Sequence, residues 1–292
     1  MSDRRTHSPG LLPSMVRGAV TSPFKRAVPA GATLPATRLV RDRMRIDPGR
    51  LASYARVCGF EQGGPLPLTY PHVLGFPSAM RLMTARAFPL PVLGLVHTGI
   101  EITRRRALHP SDAPELTVYA DRLRPHRRGT EVVMVTEGRV AGELVWESRS
   151  TYLARHPVPG GAADRTHHDV APVIPVTPAT TATWELPAGL GRRYGAASGD
   201  RNPIHLHPLT AKLFGFPRAI AHGMWTAARC LAAAEVPEDV HVRIEFRAPV
   251  LLPGTVTYAA GAGAFQVLSQ GSDGAERIHL TGAVTAPSAP RS

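Results

Sequence analysis

Residues 54–79, YARVCGFEQGGPLPLTYPHVLGFPSA, and residues 194–219, YGAASGDRNPIHLHPLTAKLFGFPRA, lie 140 positions apart and share a ladder of identities. Tyr54, Gly59, Gly75, Phe76 and Pro77 fall on Tyr194, Gly199, Gly215, Phe216 and Pro217 without a gap. Like residues extend the match at Ile46/Leu186, Gly49/Gly189, Leu66/Leu206 and Ala79/Ala219. A shared Gly-Phe-Pro alone is weak. The same ungapped spacing to a Tyr and a Gly makes coincidence a poor explanation, so the chain reads as one fold written twice. The copies are placed at 36–155 and 176–288, joined by a Pro/His-rich linker at 156–175 and preceded by a basic, Pro-rich segment at 1–35.

Periodicity supplies the elements around the repeat. Thr180–Leu186 is rich in β-branched residues and reads as a strand. The segment 188–197 reads as a helix weakened by Gly189, Gly191 and Gly195. Pro203 and Pro208 exclude regular helix from GDRNPIHLHP. The run 219–237 reads as a helix apolar nearly all round, and therefore buried, with Pro237 as its stop. His241–Arg247 alternates strictly, as a half-buried strand does, and Thr255–Ala260, Phe265–Ser269 and Arg277–Thr285 read as three more. In the first copy Asp47-Pro48 opens a helix as cap and first-turn proline. Strands are expected there near His97–Thr103, Glu115–Ala120, Glu131–Glu137 and Glu143–Leu153. A helix followed by antiparallel strands, twice over, predicts an α+β fold in which each sheet wraps one buried helix.

The chemistry concentrates in the second copy. Asp200 and His205 stand five residues apart on a loop stiffened by Asn202 and Pro203. A carboxylate and an imidazole on one rigid loop suit the removal of a proton at one atom and its delivery at the neighbouring one. Ser198 and Asn202 are candidates for orienting the pair, and His222 for supporting the start of the buried helix. Backbone N–H groups in a helix's first turn lack intrahelical partners, so the Gly223 amide is a natural donor to a developing oxyanion. Opposite Asp200 and His205 the first copy carries Phe60 and Pro65, which exchange no protons. One acid–base site per chain is therefore expected.

The block YGAASGDRNPIHLHPLTAKLFGFPRAIAHGMWTAA (194–228) resembles the signature of the MaoC-like, (R)-specific enoyl-thioester hydratases and 3-hydroxyacyl-thioester dehydratases. The first-copy string LPLTYPHVLGFPSAM is similar to their actinobacterial double-hotdog members. The resemblance implies a double hotdog, with Asp200 and His205 as the acid–base pair and Gly223 as oxyanion donor. It implies (R)-specific dehydration of 3-hydroxyacyl thioesters, and the reverse hydration of trans-2-enoyl thioesters, in fatty-acid or lipid metabolism. The sequence departs from many relatives at His207-Pro208, where a small polar residue is usual before the proline. No separate cofactor is expected, because coenzyme A or phosphopantetheine enters as part of the substrate. Arg104, Arg105 and Arg106, with Arg122, Arg124, Arg127 and Arg128, are candidates for binding the phosphates of coenzyme A or an acidic acyl carrier protein.

Composition narrows the alternatives. The chain of 292 residues has 34 basic and 22 acidic side chains, a net charge of +12, and its only lysines are Lys25 and Lys212. Residues 1–50 hold a surplus of seven positive charges. Aromatics do not interleave with the arginines as nucleic-acid stacking requires, so nucleic acid is not expected as a partner. With 43% apolar residues the chain can bury a core. No stretch approaches 18 uninterrupted apolar residues, so no membrane span is expected. Two cysteines, Cys58 and Cys230, make no disulfide framework, and a reduced cytoplasmic location is the expectation. Cys230 reads as core. His205-x-His207 has no acidic or cysteine partner at ligand spacing, so no metal is expected. A monomer or a homodimer suits a chain already holding two copies. A thioesterase and a non-catalytic acyl-thioester-binding subunit remain as alternative functions on the same fold.

Overall fold

The computed structural model describes residues 3–5, 32–158, 176–271 and 274–287. Most of the basic segment 1–35 and of the linker 156–175 lies outside them. The first half contains β1 (Asp3–Arg5), β2 (Arg38–Arg41), α1 (Pro48–Cys58), α2 (Tyr70–Met83), β3 (Val96–Arg104), β4 (Glu115–His126), β5 (Gly129–Val140) and β6 (Glu143–Arg155). The second contains β7 (Thr180–Leu186), α3 (Leu190–Ser198), α4 (Pro203–Leu206), α5 (Pro208–Leu213), α6 (Gly223–Ala233), β8 (Val240–Phe246), β9 (Gly254–Gly261), β10 (Ala264–Gln270) and β11 (Glu276–Thr285).

The strands form one sheet in the order β1-β2-β4-β5-β6-β3-β8-β11-β10-β9-β7. Leaving β1 aside, the order is the same on either side of the β3/β8 seam, five strands to each repeat. Across that seam Ile100 pairs with Ile244 and Ile102 with Val242, antiparallel. All four residues are almost fully buried, which makes the seam part of the core. Each half curls round one helix, α2 in the first and α6 in the second, giving the double hotdog. One core cluster runs through both halves and includes Tyr54, Tyr70, Trp146, Trp184, Tyr194 and Trp225. A second belongs to the first half, around Met80, Phe88, Val132 and Tyr152.

Local chemistry accounts for the helix ends. Asp47 Oδ1 accepts the Arg50 N–H at 2.6 Å, and Pro48 occupies the first turn of α1. Gly59 ends α1 at φ 82° and Gly199 ends α3 at φ 87°, left-handed positions that favour glycine. Tyr54 and Tyr194 meet with ring centroids 5.9 Å apart, so the two equivalent helices pack on each other.

Three expectations need correction. Pro203 and Pro208 do not exclude helix: each occupies the first turn of a short one, where a proline's missing N–H costs nothing. The helix expected over 219–237 is confined to Gly223–Ala233. Before it the Ala221 N–H donates to the Val250 carbonyl, and the Leu252 N–H to Ala219, both at 2.8 Å, so extended pairing wins there. The two Gly-Phe-Pro triplets, finally, are not equivalent. Gly75-Phe76-Pro77 lies inside α2, whereas Gly215-Phe216-Pro217 lies in the loop after α5. The 140-residue offset holds at Gly59/Gly199, but the starts of α2 and α6, Tyr70 and Gly223, are 153 apart. The second repeat has gained α4 and α5 between them.

Candidate active site

The turn after Gly199 carries the Asp200 carboxylate, and the gained α4 carries the His205 imidazole. Directly after Gly199, the Asp200 N–H donates to Ser198 Oγ and the Asn202 N–H donates to Asp200 Oδ1, each at 3.1 Å. This short turn aims the carboxylate. Asn202 Oδ1 in turn accepts the Ile204 N–H at 3.4 Å as the cap of α4, whose last turn holds His205. Asn202 thus serves both members of the pair, with its backbone for one and its side chain for the other. The Ile220 carbonyl accepts a hydrogen bond from His205 Nδ1 at 2.8 Å. That bond places the proton on Nδ1 and leaves the Nε2 lone pair free.

His222, the N-cap residue of α6, stacks on His205 with ring centroids 3.8 Å apart. Its Nε2–H donates to the Asp200 carbonyl at 3.0 Å and lies 3.9 Å from Asp200 Oδ2. Burial holds His205 below the ordinary imidazole range, against the pull of Asp200. Burial, with His205 alongside, pushes His222 down to about 3. Both rings are neutral near pH 7. His205 therefore offers an unprotonated ring nitrogen, while His222 is fixed to the Asp200 backbone. The Gly223 N–H opens α6 and meets no acceptor among the described residues. A Cβ at Gly223 would sit 3.1 Å from the Phe246 ring, so glycine keeps this helix end open.

Two glycines that lower the helix propensity of α3 matter more than propensity shows. A Cβ at Gly191 would overlap the His205 carbonyl, and one at Gly195 would come within 2.8 Å of the Asp200 carbonyl oxygen. Four residues apart, they form a flat stripe on α3 against which the loop is pressed. Sequence reasoning missed this role, though the i, i+4 spacing of two glycines in a helix was the available signal.

The first repeat also contributes, through residues its own sequence did not single out. Arg50 on α1 donates from Nε to the Ala197 carbonyl at 2.9 Å and from Nη2 to the Ser198 carbonyl at 2.6 Å, just before the Asp200 turn. His72 on α2 is buried and held by Ser148 Oγ at 3.4 Å. Burial pushes it down to about 4, with the Asp200 charge opposing. His97 stacks on Tyr152 at 4.4 Å and meets Phe246 at 4.9 Å. The Asp200 charge of the second repeat thus reaches buried aromatic groups of the first, His72 and Tyr152.

The three arginines after β3 are not brought to this site. His97 and Phe246 lie at one end of the seam and Arg104 at the other, roughly 23 Å along the strand. Arg104 donates to the Pro237 and Glu238 carbonyls at 2.7 and 2.8 Å, and Arg106 pairs with Asp112 at 3.3 Å. The Arg105 backbone N–H joins the Val145 carbonyl.

Asp200, His205 and His222 bring ligand-type atoms within 4.8 Å of one another, the one such group among the described residues. They fit a metal poorly. His222 Nε2 is spent on a carbonyl, and stacked rings direct their in-plane lone pairs side by side rather than to one point. His207 is exposed, and its Nδ1 accepts the Leu209 N–H at the start of α5. Cys58 and Cys230 are buried, with thiols pushed up by burial, Cys58 to about 12. No helix among the described residues is long and apolar enough to cross a membrane.

Residues 172–281 match the MaoC-like domain. The chain is 40% identical over 230 residues to the 3-hydroxyacyl-thioester dehydratase X of Mycobacterium tuberculosis, covering 78% of this chain and 81% of that protein. It is 29% identical over 153 residues to the enoyl-CoA hydratase ChsH3 of the same organism, covering 44% and 49%. The crystal structure of Mycobacterium tuberculosis HtdX superposes with a TM-score of 0.71 at 37% identity, over 86% of this chain and all of that one.

Proposed function

Because the chain belongs to the MaoC-like dehydratase family, we propose that its Asp200/His205 loop is the centre at which it dehydrates (3R)-hydroxyacyl thioesters and, in reverse, hydrates trans-2-enoyl thioesters. The protein is a hydro-lyase acting on acyl thioesters, a role in keeping with fatty-acid metabolism. The observation that carries the assignment of the site is an imidazole nitrogen of His205 within 4.8 Å of an Asp200 carboxylate oxygen, with the His205 Nδ1 held by a carbonyl, beside the open Gly223 amide.

In the hydration direction a water between the carboxylate and Nε2 gives its oxygen to C3, and a proton passes to C2. Dehydration reverses both transfers, so that the C3 hydroxyl leaves as water with the proton taken from C2. Across either step the pair returns to its starting protonation. The thioester oxygen gains negative charge in the enolate-like transition state, where the Gly223 N–H would meet it; one such donor is worth about 3 kcal/mol. The first repeat's wall of His72, His97 and Tyr152 would flank the acyl chain beyond C3. The site requires no cofactor beyond the thioester's own handle, coenzyme A or phosphopantetheine, and a single chain suffices to build it.

The test is hydration of crotonyl-CoA followed by loss of enoyl-thioester absorbance, with free thiol measured in parallel. The wild-type chain is expected to consume the enoyl group without releasing thiol, and Asp200→Asn or His205→Ala to lower turnover roughly 10²–10⁴-fold. Thiol release would favour a thioesterase, and neither signal would favour a binding subunit. Near-wild-type turnover in a folded variant would remove Asp200 and His205 from the chemistry.

A further inference from the structure

The segment gained by the second repeat carries a surface that the reaction does not use. In α5 only Ala211 is buried, while Leu209 and Leu213, one turn apart, are 66% and 83% exposed and the following Phe214 is 47% exposed. A helix placed by burial alone would turn its large apolar residues inward and its small ones outward; α5 does the reverse. The segment is not loosely attached. Thr210 Oγ1 donates to the Pro203 carbonyl at 2.6 Å and the His207 carbonyl at 2.8 Å, tying α5 to the helix that holds His205.

Along the stretch that carries this patch the charge is nearly all of one sign. From Pro187 to Ala234 the only acidic side chain is Asp200, which the site employs. Arg192, Arg201, Lys212 and Arg218 are exposed on the same stretch, and none of them forms a salt bridge among the described residues. Exposed apolar side chains with a cation among them, Lys212 between Leu209 and Leu213, suit a protein-docking face whose complement is an amphipathic surface carrying carboxylates. Through Thr210 it is joined to the short helix that holds His205.

We infer that the α4–α5 segment is the docking face for an acidic carrier protein that presents the acyl group on a phosphopantetheine arm. The inference rests on the thioester reading of the site and names one of the two handles that reading leaves open. Leu213 and Phe214 would enter an apolar groove on the carrier, while Lys212, Arg201 and Arg218 meet its carboxylates. Free coenzyme A thioesters would bypass this contact.

The experiment compares two handles on one acyl group. Lys212→Glu, Arg218→Glu and Leu213→Ser are combined in one variant, and hydration is measured for a crotonyl group borne by coenzyme A and by holo acyl carrier protein. Expected is a fall in kcat/KM of about tenfold or more for the carrier-borne substrate alone, with a wild-type carrier rate that declines as salt rises. Calorimetric binding of unacylated holo carrier protein reads docking without turnover, and the variant should lose it. A parallel fall on both substrates, an unchanged ratio, or no wild-type carrier binding overturns the inference. So does a wild-type dimer that the variant loses in sedimentation while carrier turnover persists, since the patch then belongs to a second copy. If the wild-type chain hydrates neither substrate, the thioester reading itself fails; if it hydrates crotonyl-CoA and ignores the carrier, only the docking face does.

Discussion

Gly59 and Gly199 end equivalent helices in the same left-handed conformation, and beyond them the two repeats part. The first continues through Phe60, which stacks on Tyr54, and reaches the wrapped helix within a dozen residues. The second inserts the Asp200 turn, α4 and α5 before its own wrapped helix begins. On the proposed function, one repeat therefore spends this stretch on a proton-transfer loop and the other on packing. The first is nonetheless not a bystander. Arg50 clamps the carbonyls ahead of Asp200, and His72 and Tyr152, with His97 stacked on the latter, lie within reach of its charge. On this proposal duplication has become division of labour: the reacting groups on one side, and on the other the clamp and the wall.

The comparison breaks most visibly if the roles can be moved. Adding Phe60→Asp and Pro65→His to the Asp200→Asn/His205→Ala chain should restore nothing, leaving the full expected loss of roughly 10²–10⁴-fold in crotonyl-CoA hydration. The first repeat has no counterpart of α4 to hold an imidazole, so recovered turnover would mean that the insertion is dispensable.

Next comes the floor beneath the loop. Gly191→Ala places a methyl group on the His205 carbonyl. Turnover should fall roughly 10²-fold, the scale on which an ångström of misplacement acts. The position 140 residues earlier is Leu51, where Leu51→Ala should change kcat by less than about twofold. Equal losses at the two positions would show that general destabilisation, not loop placement, is being read.

A smaller effect is expected at the clamp. Arg50→Ala removes two charge-assisted hydrogen bonds to backbone carbonyls. Each is worth about 1.5–3 kcal/mol at most, part of which hydration of the carbonyls recovers. About a tenfold loss in kcat and a lowered melting temperature are expected, with Arg50→Lys recovering only part, since a point charge cannot reach both carbonyls. Unchanged kcat alongside lowered stability would reduce Arg50 to a packing residue.

The smallest effect concerns pH. His72 is pushed to about 4, and His97 and His222 to about 3, from an ordinary value of 6.5, chiefly by burial. Their folded-state values lie below the unfolded one, so the unfolded chain takes up protons first as pH falls. Stability from keeping these rings neutral is thus complete above about pH 6.5 and is lost as pH drops toward the folded values. Replacing the buried His72 by Leu should flatten the fall of urea-unfolding free energy between pH 6 and 4.5 by up to about 1.4 kcal/mol per pH unit. An unaltered slope would mean that this ring takes up a proton in the folded chain as readily as in the unfolded one.

Much of this architecture was legible in the residues. Strict alternation at 241–247 identified the strand that reaches the seam, and Asp47-Pro48 marked the start of α1. Asp200, Asn202 and His205 could be read together because their spacing serves one turn and one cap. What escaped has physical reasons. Pro71 and Pro77 disguised α2, although the first is tolerated in an opening turn and the second lies within a buried helix. The repeated Gly-Phe-Pro kept its spacing while its structural setting changed, so identity at a fixed offset hid an insertion. Gly191 looked like a helix breaker because propensity ignores what packs outside the helix. Arg104, Arg105 and Arg106 drew attention by charge alone, and charge carries no information about which end of a strand it occupies.

The central claim is that one thioester reacts in the second repeat, against a wall supplied by the first. A crystal structure of the Asp200→Asn chain with a bound trans-2-enoyl thioester tests it most directly. The account predicts the thioester oxygen within about 3 Å of the Gly223 nitrogen, C2 and C3 beside His205 Nε2 and residue 200, and the acyl chain running toward His97 and Tyr152. An acyl group lodged beside Phe60 and Pro65, or one whose reacting carbons face away from His205, would contradict it.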